Sequence, residues 1–219
     1  MKRSCFSCGR MSLICYPAIF LALLGAMYMQ FVINGLLRSY GILYLEFLTI
    51  YNAGAATTSW IAFCFGVSMT VSAPFIGFIL DRVSEAKVVF CFCIVGTIGF
   101  LSCAWCTHIT PVIFLYGILV GVAVQTLFIS VVTFINRNFT SHQLLTNGIM
   151  FTGSSVGGMV FPFIFTALVT RYTVRGALLV FGGFWLNQCV AAMLLNTKLV
   201  RYDLRRHVKQ RKRPYRNDI

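Results

Sequence analysis

Three side chains in this sequence sit where their chemistry is out of keeping with their neighbours: Arg38, which follows the apolar run Leu13 to Leu37, and the adjacent pair Asp81 and Arg82. A guanidinium presents planar donors that grip a carboxylate through two charge-assisted hydrogen bonds, so Arg38 is suited to an anion. Its role depends on its depth. If the first helix stops near Leu37, the side chain snorkels to a headgroup layer; if the helix runs on through Tyr44, Arg38 faces a cavity. Asp81 and Arg82 end the stretch Gly77-Phe-Ile-Leu-Asp81-Arg82, with Glu85 and Lys87 close behind. A solvated turn between two helices would use such charges simply as anchors. The spacing also suits a gate, because Gly77 lets another helix approach and the Asp81 and Arg82 charges can form ion pairs that break when bundles rock. No nucleophile stands with a base, and His108, His142 and His207 lie in loops or in the tail. The pairs Cys5/Cys8 and Cys103/Cys106 would have to meet to hold zinc, and they fall on opposite sides of the membrane. Neither an enzyme activity, a metal nor a cofactor is expected.

The elements that must position these residues are membrane helices. Of the 219 residues, 58% are hydrophobic and 11% charged, and the mean hydropathy is +0.83, outside the range of soluble domains. A crossing takes about 20 apolar residues, and runs near 13–37, 58–80, 88–106, 111–133, 144–169 and 176–196 supply six of them. Strands are excluded, because an open sheet edge in hydrocarbon leaves backbone groups unsatisfied and the runs lack a barrel's alternation. The first run is too long for the core of a signal peptide. The organisation expected is a tail over 1–11, a six-span bundle over 12–197 and a basic tail over 198–219.

Charge sets the orientation. With the N-terminus inside, 15 of the 18 Lys and Arg fall on cytoplasmic segments, against Arg38, Arg171 and Arg175 outside. Six spans with a basic segment at each end give both termini in the cytoplasm. The formal net charge of +13 is therefore read as topology rather than as nucleic-acid binding, and the basic tail is expected to lie against anionic lipid. The sequon Asn138-Phe139-Thr140 is expected to stay unmodified, since it falls in a cytoplasmic loop.

Several segments, in order, resemble the monocarboxylate transporter family of the major facilitator superfamily. Ser39-Tyr-Gly-Ile-Leu-Tyr44 is similar to the family's first-span SFGVFF element, Thr58-Ser59-Trp60-Ile61 to its SWI, and Pro74 to Arg82 to its loop between spans two and three. Leu145, Gly148, Gly153, Ser154 and Gly157 match the fifth-span signature in register, and Arg175 to Asn187 resembles the WRGALLIxGGxxLN opening of span six. The DGGWGW signature before span one is missing, and Ser141-His142-Gln143 replaces the family's KRR.

The resemblance implies an all-α half of a major-facilitator fold that moves monocarboxylates such as lactate or pyruvate by alternating access, with proton symport. Arg38 occupies the place of a substrate-binding lysine, and Asn34 and Asn147 fall on lining positions. Arginine keeps the charge but does not release a proton, which puts a lysine-based proton step in doubt. The family has twelve spans, so this chain is expected to be an N-terminal half. It would be a fragment, a homodimer, or a non-transporting partner that pairs with a full-length transporter. The plasma membrane is the default residence.

Overall fold

The structure, a computed structural model, describes residues 6–51, 54–138 and 143–195, with side chains from residue 20 to residue 193. The chain beyond 195, Cys5 and most of the sequon loop lie outside it. Every element among the described residues is helical. Helix α1 covers Phe6–Ile50, α2 Ala55–Arg82, α3 Glu85–Trp105 and α4 Ile109–Asn138, the last containing a π-helical stretch at Ile113–Val120. A further helical run, Gln143–Leu186, is broken at Thr173, where φ is 61° and ψ is 172°. We name its arms α5 (residues 143–172) and α6 (residues 174–195). The latter passes a turn at Asn187 with its ladder kept by Asn187 N to Gly183 O and Ala191 N to Asn187 O bonds.

Five helical stretches are long and apolar enough to cross a membrane, the fifth running over Gln143–Met193. That stretch folds back on itself. In an unbroken helix Phe161 and Phe184 would lie roughly 35 Å apart, yet their rings are 6.0 Å apart, and Phe165 meets Phe181 at 4.8 Å. Both pairs centre on Thr173, so the chain reverses there within one residue. A non-glycine residue in this backbone region is strained.

The first helix departs most from expectation. Its apolar run was expected to end at Leu37, but the helix continues to Ile50 and includes Glu46. The physical reason is local satisfaction of the polar groups that break the hydropathy. Ser39 Oγ donates to Gly35 O at 2.8 Å, Thr49 Oγ1 donates to Glu46 O at 2.9 Å, and Ala22, Ala26, Met29, Ile33, Leu36, Leu43 and Phe47 keep one buried stripe throughout. The helix also takes in residues 6–11 of the N-terminal segment.

Glycines set the packing. On α5, a Cβ at Gly153 would collide with Met27 O and one at Gly157 with Phe31 O. These are backbone atoms, so α1 and α5 touch main chain to main chain, as small residues four apart permit. Gly35 meets Phe161 in the same direction along both helices, so α1 and α5 run parallel. On α4, Gly117 lies against Ile61 and Cys64, and Gly121 against Phe65 and Ser68. Ser68 Oγ donates to Gly117 O at 2.7 Å, and this pair too runs parallel. At the centre Tyr116 is buried among the rings of Tyr40, Phe47, Phe65 and Phe100. Tyr51 closes one end by donating to Cys106 O at 3.0 Å.

Candidate functional site

Arg38 lies within the Phe20–Ile50 stretch of α1, 12 residues from Ile50, which is about 18 Å of helix. The helix runs on past Tyr44, so Arg38 is an intrahelical cation rather than a residue at a helix end. Its side chain is exposed and has no ion-pair partner among the described residues. Its stem crosses α5 at Gly158, where an added Cβ would stand 3.2 Å from Cγ and 3.9 Å from Nε. Glycine here leaves the guanidinium room to lie over the neighbouring helix.

Asn34 stands one turn before Arg38 on the same side of α1. Its Nδ2 donates to Gln30 O at 3.3 Å and to Gln30 Oε1 at 3.0 Å. Gln30 is fully buried. Asn147 is elsewhere. It lies near the start of α5, and the Gly153–Met27 and Gly157–Phe31 contacts put it about 20 Å below Asn34 along the axis. Its Nδ2 donates to Asn136 Oδ1 at 2.9 Å, and the same oxygen accepts from Gln143 Nε2 at 2.8 Å. Asn34 and Arg38 are brought together, whereas Asn147 ties the ends of α4 and α5.

The second cluster is at the α2–α3 turn. Asp81 does not pair with Arg82. It accepts from Arg137 Nη2 at 2.6 Å, while Arg137 Nη1 reaches Glu85 Oε1 at 3.1 Å and Leu80 O at 2.9 Å. One guanidinium at the end of α4 thereby holds the end of α2 and the start of α3. The pairs are partly screened, since the Asp81 and Arg137 side chains are 69% and 44% exposed. Arg82 instead places its charge 4.6 Å from the Phe78 ring centre, a cation–π contact one turn back. Gly77 has open space beside it. Any helix approaching it would come from outside the described bundle.

Arg137, Gln30 and Gly158 are the residues that sequence reasoning does not assign to these sites. Arg137 enters it through orientation alone. Its signal is a lone basic residue ending a span opposite the Asp81/Glu85 turn. Gln30 has one signal, an amide four residues before Asn34; Gly158 has none beyond being small.

The chain is similar to known proteins. The family model of the Major Facilitator Superfamily matches residues 9–216. The chain is 27% identical over 176 residues to the rat protein named monocarboxylate transporter 13, covering 80% of this chain and 41% of that protein. It is 24% identical over 166 residues to mouse monocarboxylate transporter 12, covering 76% and 34%, and 22% identical over 173 residues to human monocarboxylate transporter 14, covering 78% and 34%. The chain thus spans between a third and about two-fifths of these curated relatives, all of them named as transporters rather than enzymes. A match running over nearly the whole sequence, on long apolar helices packed through glycines, makes this chain a member of the Major Facilitator Superfamily.

Proposed function

We propose that this chain is the N-terminal bundle of a transporter that carries small monocarboxylates across a membrane by alternating access, linked to protons. The observation that carries the reading is Arg38: an unpaired guanidinium within a membrane helix, exposed beside Asn34, is stabilised when a carboxylate supplies the missing charge. The bundle crosses six times with both ends in the cytoplasm. Two observations support that count: the reversal at Thr173 divides the 51-residue stretch, and α1 and α5 run parallel, as odd-numbered spans must. On this orientation the Arg137 cluster lies on the cytoplasmic side and latches the inward gate. The acidic residue needed for proton coupling belongs to a second half, supplied by further chain or by a partner, and the protein resides in the plasma membrane. Membrane lipids contact its apolar surface and basic tail.

The test is uptake of radiolabelled lactate and pyruvate into cells expressing the chain, with and without an inward proton gradient, for wild type and Arg38→Ala at matched surface abundance. Saturable, gradient-dependent uptake lost in the variant is the expected result. Uptake indifferent to Arg38→Ala rejects the site. The rival reading is a non-transporting protein that pairs with a full-length transporter. That reading requires co-purification with such a transporter and no uptake of its own.

A further inference from the structure

We infer that the site at Arg38 selects carboxylates bearing a hydroxyl on the adjacent carbon, and that Asn34, held by Gln30, reads that hydroxyl. The inference rests on the carboxylate role proposed for Arg38. The orientation of the Asn34 amide is fixed by one of its partners. A backbone carbonyl only accepts, so the atom 3.3 Å from Gln30 O must be the amide nitrogen. The second bond, to Gln30 Oε1 at 3.0 Å, uses the same nitrogen and anchors it to a side chain with 0% exposure, which cannot swing into solvent. What remains for a ligand is Asn34 Oδ1, since both hydrogen bonds of this side chain to described residues run through Nδ2.

Helical side chains lean toward the N-terminus, so the Arg38 guanidinium is carried back toward the turn of Asn34, and Gly158 leaves it space to lie there. The ligand therefore meets a cation and, one turn away, a fixed acceptor. A 2-hydroxy acid satisfies both by giving its carboxylate to Arg38 and its O–H to Asn34. A 2-oxo acid turns lone pairs toward Asn34 Oδ1 and is disfavoured. A 2-amino acid brings an ammonium that the acceptor welcomes but the guanidinium repels.

The experiment measures protection of Arg38 from phenylglyoxal in membranes containing the full chain, with the modified peptide quantified by mass spectrometry. The competitors are 2-hydroxypropanoate and 2-oxopropanoate. One neutral hydrogen bond predicts half-protection by the hydroxy acid at about 5- to 10-fold lower concentration. Asn34→Leu should bring the two acids together. Gln30→Leu should narrow the gap in part, because the amide then keeps only its bond to the carbonyl of residue 30 and is held less firmly. The ratio is internal to each variant, so altered expression does not affect it. Equal protection in wild type, or a gap unchanged by Asn34→Leu, overturns the inference while leaving the carboxylate role standing. Protection by neither acid overturns both.

Discussion

Gly158 determines how Arg38 can lie, because nothing but hydrogen separates the α5 backbone from the arginine stem. At 3.2 Å from Cγ, even a methyl would press on Arg38, and the two further methyls of valine occupy its path. On the proposed function, Gly158→Val should raise the KM for carboxylate uptake by about 5-fold, with little change in kcat, the pattern of weakened ground-state binding. Uptake kinetics at matched surface abundance check this; a fall in kcat alone would assign Gly158 to packing. Arg38 was legible in the sequence because a charge in an apolar run needs explaining. Gln30 and Gly158 were not, because a buried amide and a mid-helix glycine have the same types whether they pack or position a neighbour. Only the hydrogen bonds from Asn34 and the path of the Arg38 stem separate the two uses.

At the scale of elements, glycine spacing sorts into contact and vacancy. Gly157 faces Phe31 O, a backbone atom that cannot step aside, whereas Gly148 and Gly183 have nothing within 4 Å. Gly157→Leu is expected to destabilise the bundle by about 3 kcal/mol or more, since overpacking here must push α1 and α5 away from each other. Gly148→Ala and Gly183→Ala should be neutral or slightly stabilising, as alanine favours helix by up to about 1 kcal/mol. Thermal unfolding of the purified protein in detergent measures all three; equal losses would contradict the packing described. Hydropathy located the helical runs, and the arms of the Thr173 hairpin fall close to the runs expected at 144–169 and 176–196. It misjudged the end of α1, because a hydropathy sum penalises Arg38, Ser39 and Glu46 without knowing that Ser39 bonds to its own helix and that the buried stripe continues to Phe47.

Across the whole molecule, Arg137 joins three helices through groups that lie 52 and 56 residues earlier. Read along the chain, Asp81 and Arg82 form the gate, and the natural guess pairs neighbours. Coulomb attraction does not respect sequence distance, and the parallel course of α2 and α4 brings Arg137 to Asp81 while Arg82 folds over Phe78. Because these pairs are partly exposed, Arg137→Gln is expected to lower stability by less than about 1 kcal/mol, a shift of no more than about 4 °C in Tm. Its effect on uptake should be far larger, a several-fold fall in rate, if the cluster holds one side of the gate closed. Parallel measurement of melting and uptake tests this: equal, small effects on both would leave the cluster as an anchor of the turn.

The reversal at Thr173 also bears on how the protein is made. With α5 and α6 joined by a single residue, no loop lets the first arm settle in the bilayer while the second is still being synthesised. Arg171 and Arg175, exposed on either side of the bend, must on the proposed orientation be carried to the outer face against the bias that retains basic residues inside. The apolar length of both arms is what can draw them across. Synthesis should therefore deliver α5 and α6 as one preformed hairpin, its rings of Phe161, Phe165 and Phe181 already in contact.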